Sequence, residues 1–289
     1  MERGIYDRIR KALRAVGCRR KSGRFTYTDT GVLAVYLWAT VNDRPVRWAC
    51  EPQNWPRGLR RGPLPDASTV SRRMRRASMA TLIDRLRQWI LPREGDGLVA
   101  LIDGKPLTVG PNSHDRHAGY GRAASGMAKG YKLHAIVDAH GRVMAWRVAP
   151  MNVDERPMAG RMLRDLEHTG YLVGDSNYDS RKLYDLAAER GIQLVAPRAR
   201  HRRHKGLGHR RTSEHRIRSI EMLERPHNNF GRALLSFRGA IERYFGQLTY
   251  AGLGSLPAWV RGYRRVRNWV AAKLLIHATK TRIRLQIVQ

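Results

Sequence analysis

Apolar positions in the first third of the chain recur at helical spacing. Ile5, Ile9, Leu13 and Val16 predict an amphipathic helix. The segment GVLAVYLWATV, residues 31–41, is almost continuously apolar and predicts a buried helix, with Asp29 as its cap. Proline and glycine punctuate residues 51–65 (EPQNWPRGLRRGPLP), which read as a loop. Pro65 and Asp66 then open another helix. Val70, Met74 and Ala77 form its apolar face, and Arg72, Arg73, Arg75 and Arg76 load the others. Residues 1–90 thus predict a small helical domain. Two helices, a break and an Arg-rich helix are compatible with a helix-turn-helix. The four arginines either contact DNA or form an ordinary solvated face.

The pattern changes after residues 91–97 (LPREGDG), the expected linker. LVALID is a short apolar strand ending on an acid. YKLHAIVDAHGRVMAWRVAP reads as a hairpin turning at Ala139-His140-Gly141. YLVGD is a second apolar strand ending on an acid, followed by a helix over 180–190 and a strand at QLVAP. Helices are expected over 233–247 and 259–283. Residues 98–289 therefore predict an α/β domain, a sheet with helices packed on it. Trp259, Tyr263 and Trp269 are expected in its core, with base stacking the alternative.

Charge narrows the functional classes. Lys and Arg number 55 against 24 Asp and Glu, a formal net charge of +31, so the chain needs an anionic partner, and nucleic acid fits best. A hydrophobic fraction of 42% with 7 Trp and 11 Tyr implies a folded protein rather than a basic tail. Cys18 and Cys50 lack metal-type spacing and read as reduced thiols. The N-terminus is too charged for a signal peptide, and no apolar stretch suits a membrane helix. A cytoplasmic protein, on the nucleoid when bound to DNA, is expected. The basic run over 198–218 reads as a loop gripping phosphates; His201, His204 and His209 lack the partners of a zinc site.

Three acids stand out against this excess of positive charge. Asp103 and Asp175 end apolar strands, and Glu242 lies in the amphipathic segment FRGAIERYFGQL. Carboxylates brought together in a basic fold suit divalent metal held against a phosphodiester, since Mg²⁺ prefers oxygen ligands and keeps several waters. Singly, each has a plainer reading: a turn or capping residue for either Asp, a solvated or Arg-paired residue for Glu242. Lys132 and His134 share one face of a predicted strand, where they approach phosphate or acids or simply make a polar face. Asn152 and Asp154 are candidates for support. Tyr178, between Asn177 and Asp179, reads as packing the turn after Asp175.

The segments IDGKPLTVG, GYKLHAIVDAHGRVMAWRVAPMNVDE, GYLVGDSNYDSRKLYDLAAERGIQLVAPRAR and RGAIERYFGQL, in that order, resemble a DDE transposase of bacterial insertion sequences, in the broad group of families four and five. The resemblance implies an RNase H-like mixed sheet with flanking helices. It implies Asp103, Asp175 and Glu242 as catalytic and metal-binding triad, with two Mg²⁺ ions for which Mn²⁺ substitutes. It implies cutting at element ends and strand transfer into target DNA, by a homodimer on terminal inverted repeats. Arg238 matches an Arg of the helix that carries the Glu and joins the DNA-contact candidates. Leu235 and Thr249 replace the Tyr and Lys that the related signature associates with DNA contact. An RNase H-like nuclease without strand transfer, or a domesticated or inactive DNA-binding derivative, are the alternatives.

Overall fold

In the computed structural model, which describes residues 2–17, 26–60, 62–91, 97–167, 170–199, 213–225 and 229–287, the first apolar stripe becomes α1 (Glu2–Val16), burying Ile5, Tyr6, Ile9 and Leu13. The apolar segment becomes α2 (Asp29–Val41). Its cap is Thr28 rather than Asp29: the Thr28 hydroxyl accepts from the Gly31 amide at 3.0 Å, leaving Asp29 in the first turn, where negative charge suits the helix dipole. After α3 (Val46–Ala49) the Pro/Gly segment is held by aromatic rings. Trp38 packs between Tyr6, Trp48 and Trp55. The Trp55 indole donates to the Ala49 carbonyl at 2.8 Å.

The expected Arg-rich helix is two helices. α4 (Ala67–Arg73) is capped by Asp66, whose carboxylate accepts from the Thr69 amide at 2.8 Å. It ends before Met74–Arg76, and α5 (Ala77–Ile90) follows. Cys50 is a half-buried free thiol whose pKa burial pushes up to about 11, fitting an inert reduced cysteine. Cys18 lies outside the described residues, as do most of the expected linker and His201, His204 and His209.

The second half is built on a mixed six-stranded sheet. β1 (Val99–Thr108), β2 (Gly119–Ala123), β3 (Gly126–Asp138) and β4 (Val143–Pro150) precede α6 (Glu155–Arg164). β5 (Gly170–Val173), α7 (Arg181–Ala188), β6 (Ile192–Val195), α8 (Glu214–Glu224), α9 (Asn229–Ser236), α10 (Gly239–Tyr250) and α11 (Tyr263–Ile287) complete the chain. β3 is antiparallel to β1, β2 and β4, whereas β1, β5 and β6 run parallel. An antiparallel arm feeding three parallel strands makes the mixed sheet with flanking helices that was expected. Ala100, Ile102 and Ile136 on one sheet face pack with Met162 and Leu163 of α6 and with Leu183 and Tyr184 of α7.

Three elements of this half were not expected: β2, α6 and α8, whose first residues, 214–218, belong to the basic run expected as a loop. The single helix expected over 233–247 breaks at Phe237–Arg238 into α9 and α10. The chain forms two compact units, one of Met1–Arg93 with Tyr250–Gln289, the other of Glu94–Thr249. α11, expected with the sheet, instead packs with α1, α2 and α5. Trp269 is buried there as expected, but Trp259 and Tyr263 are exposed. Both precede or begin α11, ahead of its buried stretch. No helix among the described residues is long and apolar enough to cross a membrane.

Candidate active site

Asp103 does not end its strand. β3 is long, and its pairing carries β1 on to Thr108, while the parallel partner β5 stops with Val173 opposite Leu101. Asp103 and Asp175 each lie two residues beyond that last parallel pair, so the sheet register sets them side by side. Pairing on one edge only leaves the other edge of β1 open at the acid. Burial pushes the Asp103 carboxyl up to about 6, helped by the negative charges of Asp175 and Glu155. A 2.7 Å hydrogen bond from the Gly104 amide and the charge of Arg238 pull the other way.

Asp175 also shapes its own turn. One oxygen accepts from the Asn177 amide at 2.9 Å, the other from the Asn177 side chain at 3.2 Å. Turn chemistry and acid placement coincide in one residue. Asp179 is fully buried, paired with Arg216 at 2.6 Å, and serves packing. Asp154 caps α6 through the Arg156 amide. The Asn152 side chain lies against Gly119 of β2, where no other residue fits.

Glu155 is the acid that sequence reading missed. Its carboxylate takes the Lys132 ammonium at 2.7 Å, both groups largely buried, and lies against Gly104 next to Asp103. The Tyr178 hydroxyl is buried beside Glu155 without closing a normal hydrogen bond, and burial plus the charges of Glu155, Asp103 and Asp175 raise its pKa well above the ordinary value. An acid opening a helix reads as dipole chemistry. Only the sheet register, with Lys132 opposite Pro106 and His134 opposite Gly104, shows what Glu155 faces.

Two candidate DNA contacts are corrected here. His134 is fully buried, with neither ring nitrogen hydrogen-bonded, so its ring has no surface to offer DNA. Arg73 is buried in an ion pair with Asp29 and donates to the Tyr27 carbonyl at 3.1 Å. It staples α4 to the start of α2. Arg72, Arg75 and Arg76 are exposed. Lys132 is committed to Glu155.

Glu242 opens α10, exposed and paired with Arg238 at 3.4 Å. Two residues beyond Asp103 on the same strand face, Lys105 donates to Thr249 at 2.6 Å. α10 therefore crosses the face of β1 that bears Asp103. Glu242 and Thr249 lie two helical turns apart on one side of α10. Arg238, just before the helix, is close enough to influence Asp103. Lys105 thus sets an ammonium at Thr249, where the related signature has a lysine. Among the described residues no three metal-ligating side chains are gathered as a cluster. Asp103 instead feels the charges of Asp175 and Glu155, and that of Arg238, which is itself paired with Glu242. The carboxylates are hard oxygen donors, the chemistry a magnesium-type ion requires, and the mutual repulsion felt at Asp103 is what a cation relieves.

No curated protein matches the chain. Among solved structures, a cryo-EM structure of the piggyBac transposase synaptic complex with hairpin DNA is similar at 9% identity and a TM-score of 0.36, over 98% of this chain and 79% of that one. The family model for the transposase DDE domain matches residues 94–278, well over half of the sequence, and the chain belongs to that family.

Proposed function

We propose that the protein is a transposase that cuts DNA at the ends of an insertion sequence and transfers the strands to target DNA. The observation that carries this reading is the pair Asp103 and Asp175, set side by side by the sheet of a chain with net charge +31. Asp103 and Asp175 would hold divalent metal, Mg²⁺ or Mn²⁺, with Glu242 as third carboxylate. When bound, the metal lowers the pKa of an attacking water or 3′-hydroxyl and stabilises the leaving oxygen. The chain's own residues do the rest. Asn177 and the Gly104 amide orient the two aspartates. Arg238 neutralises and restrains Glu242.

DNA binding falls to exposed arginines of the helical unit and to two half-buried cations near the acids. Arg72, Arg75 and Arg76 of the helical unit suit phosphates of the terminal inverted repeats, and Lys105 with Arg238 suits the strand being cut. Two ends must be cut in coordination, so the working species is a homodimer on double-stranded DNA.

The test is strand cleavage and joining on a labelled duplex carrying the DNA that flanks the gene, with Mg²⁺ or with EDTA. Asp175→Asn keeps the acceptor that caps the turn but removes the charge. Metal-dependent nicking with joined products, lost in this variant, is the expected result. Nicking without joining would mark a nuclease, and tight binding without cleavage a non-catalytic derivative.

A further inference from the structure

We propose that the β2–β3 hairpin is a ribbon that binds paired DNA about eight base pairs away from the acids. This rests on the DNA-transposase reading above and adds a site to it. The pairing of β3 with β1 ends at Gly130 and that with β4 at Tyr131, so beyond them the sheet is two strands wide. There the pairs Tyr120↔Lys129 and Arg122↔Met127 set four large side chains on one face. The other face carries only Gly119, Gly121, Ala123, Gly126, Ala128 and Gly130. At its base this bare face is closely backed: a Cβ on Gly121 would lie 2.7 Å from the Met151 side chain. The large face is open instead, with Tyr120 64% and Met127 73% exposed and Arg122 exposed beside them. Glycine weakens a strand, and exposed Tyr and Met bury nothing, so stability does not account for this division.

Strand alternation ties the open face to the acids. Met127, Lys129, Tyr131, Leu133 and Ala135 share one face of β3, and Ala135 is paired with Asp103. The ribbon therefore shows its large side chains on the sheet face that bears Asp103 and Lys105. Met127 lies eight residues before Ala135, about 27 Å of extended strand or the length of about eight base pairs of B-DNA. A duplex held at the acids and laid along this strand runs to the ribbon. Charge selects the same partner. Between Val109 and Tyr131 the cations are Arg116, Arg122 and Lys129, while the one acid, Asp115, is buried and accepts from the Tyr131 hydroxyl at 2.9 Å. An apolar protein surface would leave these cations unanswered, whereas a duplex offers a phosphate at every step. Two strands fit the major groove, with the Arg122 guanidinium and the Tyr120 hydroxyl donating to phosphates at its edge.

The experiment titrates the full chain into labelled duplexes carrying the DNA that flanks the gene, by anisotropy over a salt series. Arg122→Gln is expected to weaken binding about fivefold, the scale of one hydrogen bond. It should also reduce the slope of log affinity against log salt by about one, the release of one counterion. Tyr120→Ala is expected to weaken binding to a similar extent with the slope unchanged. Both side chains are exposed, and equal thermal midpoints confirm that the variants fold. Duplexes are then shortened on either side of the nick. On one side, trimming the flank from about twelve to about five base pairs should erase the difference between wild type and variants. Unchanged affinity and slope in both variants overturn the proposal, as does a variant effect that survives trimming on both sides. Altered sedimentation of the variants with unchanged DNA affinity would assign the ribbon to a protein contact and overturn it as well. If the wild type binds DNA and the variants match it, only the ribbon site falls; if the wild type binds no duplex, the DNA reading falls with it.

Discussion

At Gly104 the strand has no room for a side chain. A Cβ there would lie 2.9 Å from the Lys132 chain and 3.0 Å from a Glu155 carboxylate oxygen, next to Asp103. Gly104→Ala must push apart a largely buried ion pair or twist the strand at the acid. The expected loss is about 1–3 kcal/mol of stability, read by denaturant unfolding. Metal-dependent nicking should fall further than stability explains, by about a hundredfold for a shift of an ångström. Unchanged nicking would show that the Lys132–Glu155 pair does not set Asp103. His134 makes a second prediction at this scale. Burial, with the Lys132 charge, lowers its pKa to about 4, and burial does the same to His277. The unfolded chain takes up these protons near the ordinary value of about 6.5 and the folded chain does not. Stability from the two is therefore complete above about 6.5 and declines as pH falls toward 4. Replacing His134 by Leu should flatten the slope of urea midpoint against pH across that window.

Elements were legible where one physical signal sufficed. The stripe of α1, the Asp66 cap of α4 and the turn between β3 and β4, where Gly141 takes φ 77° and the Asp138 carboxylate accepts from the His140 and Arg142 amides, all follow from local chemistry. β2 was hidden because GYGRA carries no apolar alternation. Its Gly119 and Gly121 are needed for close approach to Asn152 and Met151 rather than for strand propensity. α6 was hidden because its buried positions, Met158, Ala159, Gly160, Met162 and Leu163, are interrupted by Arg161 and flanked by Arg156 and Arg164. Glu155 and Lys105 share this cause: their partners are distant in sequence, and only the sheet brings them near. The same holds for Lys273, a fully buried lysine on α11 that bonds Asp43 at 2.5 Å and the Ala251 carbonyl at 2.9 Å, with its ammonium 5.1 Å from the centre of the Trp269 ring. The two halves of this pair are not equivalent, since the Asp43 side chain is half exposed. Asp43→Asn keeps a residue that tolerates the left-handed backbone at φ 52° but strands a buried ammonium. It should cost about 3 kcal/mol. Lys273→Met leaves a carboxylate that water can reach, and should cost clearly less. Equal losses in thermal unfolding would contradict the asymmetry.

At the scale of the whole molecule, the order of elements along the chain does not match their grouping in space. Periodicity announces a long C-terminal helix but says nothing about which unit it completes, so the boundary of the sheet unit was not readable. α11 buries Val266, Trp269, Val270, Leu274, Leu275 and Ile276, and its partners α1, α2 and α5 all come from the opposite end of the sequence. Each such side chain is worth about 1.5–3 kcal/mol when fully buried. Six of them match or exceed the roughly 5–15 kcal/mol that stabilises an entire domain. A chain ended at Thr249 should therefore lose its helical unit as a folded body. The sheet has its own core between β1, β3, α6 and α7 and does not depend on that burial. Hydrogen exchange separates the two: amides of α1, α2 and α5 should exchange quickly in the shortened chain, while those of β1 and β3 stay protected. Loss of protection in both would mean the units fold as one. Protection retained in α5 would mean that α11 only covers a helical core able to stand alone.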